Sequence, residues 1–152
     1  MIYTRVISAF PATGKSYFTK NTSLKVLDSD SSNFSWVINE DGTKVRNPNF
    51  PKNYIEHIKE NLGKVDIIFV SSHKEVRDAL VENKLFFTLF RPNYFIKEEY
   101  IKRFIERGND EKFIKFIDEN WENFIDELCL QDGCEIICLE KGQYISDIIS
   151  LN

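Results

Sequence analysis

The chain has 152 residues, 42% of them apolar with 13 Phe, and a net charge of −4 from intermixed acidic and basic groups. That length suits one domain burying about two-thirds of its unfolded-chain surface, and the charge excludes the global basic footprint of a nucleic-acid binder. The three cysteines, Cys129, Cys134 and Cys138, have neither disulfide-framework nor metal-type spacing and read as buried free thiols in a reducing compartment.

The first strand-length apolar run is Tyr3 to Ser8. Residues 9–16 follow as Ala9-Phe10-Pro11-Ala12-Thr13-Gly14-Lys15-Ser16. They match the phosphate-loop pattern G-x-x-x-x-G-K-[ST], with alanine where the first glycine belongs. Such a loop needs a strand before it and a helix after it, so that backbone N–H groups converge on a phosphate chain. A short helix is expected from Ser16 to Lys20. In this geometry Lys15 reaches the outer phosphates, Ser16 ligates magnesium, and Ala12, Thr13, Gly14, Lys15, Ser16 and Tyr17 form the donor-binding stretch. Ala9 is the blemish, because glycine there often takes a turn closed to other residues.

Further strands are expected at Leu24 to Asp28, Val65 to Ser71, Phe86 to Arg91 and Glu135 to Leu139. Four of the five runs are dense in Val, Ile, Leu or Phe rather than alternating, as in strands covered on both faces. Helices are expected at Pro51 to Asn61, Lys74 to Glu82, Lys97 to Arg107, Glu111 to Leu128 and Ile145 to Ser150. Gly108-Asn109-Asp110 stops one helix and caps the next. Residues 29–50 are the least regular stretch and read as a substrate-side insertion. Alternating strands and helices indicate an α/β fold with a parallel sheet, in one domain over residues 1–152. No apolar run reaches membrane-spanning length and no leader precedes the first strand. A cytoplasmic protein with no membrane partner is therefore expected.

In such folds ligands bind beyond the carboxyl ends of the strands. The second strand ends in Asp28-Ser29-Asp30, the third in Ser71-Ser72-His73, the fourth in Arg91-Pro92-Asn93 and the fifth in Glu140-Lys141-Gly142-Gln143. Of the acidic pair, one carboxylate can hold the water shell of a magnesium ion, and the other can orient an attacking hydroxyl or take its proton. The alternative is that Asp28 ends a strand and Asp30 caps a turn over Ser31-Ser32. Arg103 and Arg107 lie one helical turn apart and project from one face. There they can neutralise a transferring phosphoryl group, or simply form part of a solvated charged face.

The phosphate loop near the N-terminus, the Asp-x-Asp after the second strand and the late R-x-x-x-R-G together resemble the small P-loop kinases. These include the nucleoside monophosphate kinases, deoxynucleoside kinases, shikimate kinase and gluconate kinase. The resemblance implies a three-layer α/β/α sandwich with a five-stranded parallel sheet in the order 2-3-1-4-5 and a mobile helical lid. It implies ATP and magnesium as cofactors, Lys15 and Ser16 on the phosphates and the metal, Asp28 near magnesium, Asp30 at the acceptor, and Arg103 and Arg107 closing from a lid over 94–128. The third strand departs from the pattern, ending in Ser-Ser-His where a subfamily motif would stand.

The acceptor region of such kinases falls at 29–62. Phe34 and Trp36 could stack a nucleobase there, and Arg46 could bind a monophosphate bidentately. An aromatic-rich insertion that packs on the sheet is the alternative. His73 is a candidate acceptor contact or proton carrier, and Arg91 points into the cleft if the fourth strand is placed correctly. Lys141-Gly142 matches the region that passes adenine, and Trp121 reads as a packing residue. The expected function is ATP-dependent phosphotransfer to a nucleotide-like small acceptor, a nucleoside monophosphate or a nucleoside. The alternatives are a polynucleotide 5′-hydroxyl kinase, for which nucleic acid would need a basic track into the cleft, and a non-catalytic nucleotide-binding module.

Overall fold

The computed structural model describes residues 2–152. Five strands form one parallel sheet: β1 (Arg5–Ala9), β2 (Val26–Asp28), β5 (Ile67–Val70), β6 (Thr88–Pro92) and β7 (Glu135–Leu139). They lie in the order β2-β5-β1-β6-β7. In chain numbering this differs from the expected 2-3-1-4-5. A separate antiparallel hairpin, β3 (Trp36–Ile38) and β4 (Lys44–Arg46), intervenes after β2 and joins no strand of the sheet.

The sequence dictates this sheet through its apolar density. Every residue of β5 is buried, which requires cover on both faces. Val6 and Phe10 belong to one buried cluster, with Tyr54, Ile58, Val76 and Leu80 from α3 (Lys52–Asn61) and α4 (Lys74–Glu82). Ile7 and Ala9, one residue out of phase, belong to a second cluster with Phe18 from α1 (Lys15–Asn21) and Ile145 from α7 (Ile145–Ile148). The period-two alternation of a strand thus feeds two cores from one run.

Two helices placed in the expected lid region pack into the first core. In α5 (Lys97–Glu106), Tyr100, Arg103 and Phe104 are buried, and in α6 (Glu111–Cys129), Ile117, Trp121, Ile125 and Leu128 are. Trp121 makes edge contact with Phe10 and donates its indole N–H to the Tyr94 carbonyl at 2.8 Å, as its packing role required. The stop-and-cap between the helices also forms, with the Asp110 carboxylate accepting from the Phe113 N–H at 2.7 Å. Neither helix is detached from the body. The apolar stripe that makes each one amphipathic is spent on the core.

The insertion after β2 is more regular than expected. A short helix, α2 (Ser32–Ser35), leads into the hairpin, whose six strand residues are all exposed. The cysteines differ from the buried thiols expected: Cys129 is exposed, and Cys134 and Cys138 are half-buried. Cys138 lies on β7, an edge strand, where cover is incomplete. Among the described residues no helix is long and apolar enough to cross a membrane.

Candidate active site

The phosphate loop leaves β1 at Ala9 and enters α1 at Lys15. Ala9 is an ordinary strand residue, so its methyl group costs nothing there. The left-handed turns fall instead at Ala12 (φ 67°) and Gly14 (φ 94°). Thr13 is buried between them and donates its hydroxyl to the Phe10 carbonyl at 2.8 Å, closing the loop on itself.

The loop carbonyls are engaged from behind. Arg103 Nη1 donates to the Ala12 oxygen at 2.9 Å, the Ile145 N–H to the Thr13 oxygen at 2.9 Å and the Phe18 N–H to the Gly14 oxygen at 3.0 Å. Among the described residues, none of the amides of Ala12 to Tyr17 donates to a protein acceptor. Successive unpartnered N–H groups around left-handed turns form a concave nest for an anion. A helix N-terminus adds partial positive charge to it.

This nest opens into a cleft of about 650 Å³. The cleft is lined by Pro11 to Tyr17 and by the ends of β2 and β5, namely Ser29, Asp30 and Ser31 with Ser71, Ser72 and His73. Arg103, Glu106, Arg107, Asn109 and Phe113 line it from the α5–α6 side, and Tyr144 from the turn before α7. Lys15 Nζ lies 3.2 Å from Asp28 Oδ1. Ser16 is exposed, and its hydroxyl has no protein partner among the described residues.

The structure therefore gathers Lys15, Ser16, Asp30, His73, Arg103 and Arg107 at one cleft, with Asp28 against Lys15. The turn capping expected as the alternative for Asp30 forms. Its Oδ1 accepts from the Ser32 N–H at 2.9 Å, and the residue still lines the cleft. Arg103 departs from the lid role. It is only 7% exposed, and besides Ala12 it holds Glu99 at 2.9 Å and the Gln143 oxygen at 3.1 Å. Its guanidinium is sandwiched between the rings of Tyr100 and Tyr144, 4.4 and 3.9 Å from their centroids. It braces the loop from behind, whereas Arg107 is exposed at the helix end.

Four expected substrate residues lie elsewhere. Phe34 packs on Tyr54 and His57, with centroids 5.2 and 4.7 Å away. Trp36 sits on the hairpin beneath Lys44 and Arg46, each about 5 Å from its ring. Arg46 pairs with Glu75 at 2.9 Å. Arg91 bonds the Pro92 oxygen at 3.1 Å and pairs with Cys138 across the β6–β7 ladder. The physical reasons are local to each: the apolar ring of Phe34 is drawn against α3, the hairpin carries Trp36 and Arg46 off the sheet, and the ladder holds Arg91 beside β7. The expected adenine-passing turn is occupied by a protein contact, since the Gly142 N–H donates to Glu99 at 3.0 Å.

Sequence reasoning missed Tyr54, Glu99 and Tyr144. Tyr54 is fully buried and donates to the Ser29 oxygen at 2.6 Å, while the Ser71 N–H donates to its hydroxyl at 3.2 Å. It ties the two strand ends that form one wall of the cleft. Burial pushes its phenol up to about 12. No local signal marks Tyr54 or Tyr144, because each acts on partners more than ten positions away, whereas Glu99 holds Arg103 at the i,i+4 spacing as well as the distant Gly142 N–H.

Among the described residues no cluster of three or more His, Cys, Asp or Glu side chains could hold a metal ion. Magnesium bound with a nucleotide needs only one or two protein oxygens, the rest being water and phosphate. The free Ser16 hydroxyl and the Asp28 carboxylate beside Lys15 fit that requirement. The chain matches no protein-family model and no curated protein.

Proposed function

We propose that this chain is an ATP- and magnesium-dependent phosphotransferase of the P-loop kinase type, acting in the cytoplasm on a nucleotide-like small acceptor, a nucleoside monophosphate or a nucleoside. The observation that carries the reading is the nest of unpartnered amides from Ala12 to Tyr17, sharing one cleft with Lys15 and Asp30. Six N–H groups and a lysine suit a phosphate chain, and a carboxylate lining the same cleft suits the group that receives the chain's last phosphoryl.

In this reading the loop amides and Lys15 hold the donor phosphates, and Ser16 and Asp28 would hold magnesium. The metal, when bound, offsets charge on the phosphates. Asp30 orients the acceptor hydroxyl and takes its proton as the acceptor oxygen bonds to the γ-phosphorus. The bond from that phosphorus to the β,γ-bridging oxygen breaks, and ADP departs. Arg107 neutralises charge on the transferring group from the open end of α5, while Arg103 keeps the loop in shape.

The test is ADP release with magnesium and ATP over a panel of acceptors. Lys15→Ala is expected to lower turnover at least ~100-fold, the scale of losing one preorganised charge at a transition state. Unchanged ATP binding and turnover in that variant would end the reading. One observation favours a second reading, a polynucleotide 5′-hydroxyl kinase: the hairpin exposes Trp36 beneath two cations, a platform on which a base could stack. Oligonucleotides with a 5′-hydroxyl therefore belong in the panel.

A further inference from the structure

We infer that Arg77 is a positioning residue, which sets the wall of the cleft at the end of β5 by holding the Ser72 carbonyl. This rests on the phosphotransferase reading of the same cleft, in which that wall meets the acceptor. Arg77 lies on α4 and is only 2% exposed. A guanidinium so buried is tolerable only when its charge and its donors are met. Its Nε donates to the Ser72 oxygen at 2.8 Å, Nη1 to Gln131 Oε1 at 2.6 Å and Nη2 to Glu127 Oε1 at 2.5 Å.

Ser71, Ser72 and His73 all line the cleft beyond the last residue of β5. The sheet ladder does not reach them, so their shape depends on what else engages their backbone. Ser8 Oγ donates to the Ser71 oxygen at 3.0 Å, and the Ser71 N–H donates to the Tyr54 hydroxyl at 3.2 Å. The Val76 and Arg77 amides both donate to the His73 oxygen at 3.0 Å, as the first turn of α4. The Ser72 oxygen has one protein donor among the described residues, and it is Arg77.

The other end of this tie gives it a functional meaning. Glu127 belongs to α6, and Gln131 follows that helix by two residues. Its neighbour α5 packs on it through Phe104 and Phe113, centroids 5.2 Å apart, and carries Arg103 on the Ala12 oxygen. One helix pair therefore grips a carbonyl on each side of the cleft, the phosphate loop through Arg103 and the end of β5 through Arg77. Each grip is a charged donor on a carbonyl, stronger than a neutral hydrogen bond. Together they set the separation of donor and acceptor, to which transfer is sensitive on a scale of about 1 Å. A lysine could not replace Arg77, because a single ammonium nitrogen cannot span Ser72, Glu127 and Gln131 as a planar fork does.

The experiment compares Arg77→Lys and Gln131→Ala with the unaltered full chain. Turnover uses magnesium–ATP and whichever nucleoside, nucleoside monophosphate, sugar or 5′-hydroxyl oligonucleotide the unaltered chain phosphorylates fastest. Melting temperature reports folding, and calorimetry reports ATP affinity. Arg77→Lys is expected to raise the acceptor KM at least about tenfold, the scale of one charge-assisted hydrogen bond, with ATP affinity within about twofold of the unaltered chain's. A merely structural loss would lower the folded fraction and hence the apparent kcat, leaving KM in place. Gln131→Ala keeps the Arg77–Glu127 charge pair, and is expected to raise the same KM about threefold. Where Arg77→Lys does not fold, Gln131→Ala decides on the same readouts. An acceptor KM unmoved in folded Arg77→Lys overturns the inference and leaves the phosphotransferase reading standing. So does a loss of ATP affinity as large as the rise in KM. If the unaltered chain phosphorylates no acceptor, both fall.

Discussion

Gly14 meets two constraints at once. Its φ of 94° lies in the left-handed region, and a Cβ added there would come within 2.9 Å of Tyr144 Cδ1. Ala12 carries a similar φ of 67°, with the residue packed against the first core. Gly14→Ala must therefore strain the backbone and also push back the Tyr144 ring. It is expected to cost about 1–3 kcal/mol in chemical denaturation. ATP binding by calorimetry should be lost with it, since the amides on either side of position 14 would lose their convergence. Retained ATP affinity would show that the nest is not where phosphate binds. Tyr144 explains why glycine is needed here, a reason that the sequence motif does not contain.

At the scale of elements, α5 separates two arginines one turn apart into different roles. Arg103 faces inward, and its removal would leave the Ala12 carbonyl without its partner and Glu99 with only the Gly142 N–H. Arg103→Ala is expected to destabilise the fold by about 3 kcal/mol, as when one member of a buried pair is removed. Arg107 faces solvent and the cleft. Arg107→Ala is expected to change stability by no more than about 0.5 kcal/mol, while lowering turnover at least ~100-fold. Urea denaturation and steady-state turnover, measured on both variants, check the pair. Equal stability losses would refute the division of labour. Helical spacing puts both side chains on one side of the helix; which of them the core takes depends on Tyr100, Phe104 and Tyr144, which arrive from the packing.

Across the whole molecule, Tyr54 joins α3 to two strands of the sheet, and its burial links stability to pH. Its phenol titrates at about 12 in the fold against 10.0 ordinarily. Between those values the unfolded chain gives up a proton that the folded chain keeps, so stability falls as pH rises. The contribution is complete below pH 10 and is lost through about 12. It amounts to roughly 2–3 kcal/mol, because each tenfold difference in proton affinity between the two states is worth about 1.4 kcal/mol. Burial raises Tyr100 in the same direction, so part of the alkaline slope survives without Tyr54. Tyr54→Phe is expected to reduce the loss of denaturation free energy between pH 9 and 12. An unaltered slope would show that the phenol is not desolvated as the packing requires.

Local chemistry made much of this legible beforehand. The apolar runs marked the five sheet strands to within about two residues, the usual uncertainty of element ends. Gly108 and Asp110 marked the break between α5 and α6, and Gly14-Lys15-Ser16 marked the loop. Those signals are short-range: strand periodicity, cap chemistry and a left-handed turn are written in neighbouring residues. The hairpin was not legible, because its three-residue strands are too short to carry a period. Nor was the fate of Phe34, Trp36, Arg46 and Arg91, since an aromatic or an arginine has the same local signature facing a cleft or facing away.

The sequence by itself thus determined the five sheet strands, the longer helices, the alternation that makes a parallel sheet and the place of the Gly14-Lys15-Ser16 loop. Only the tertiary structure decided what faces that loop. It turned Arg103 into a brace, left Arg107 in the cleft, sent Arg46 and Arg91 elsewhere and surrounded Asp30 with hydroxyls. The physical reason is that direction at a site is set by contacts between residues far apart in the chain. Tyr54 with Ser29 and Ser71, or Arg103 with Ala12 and Gln143, are brought together by burial of two apolar cores, not by anything written beside them.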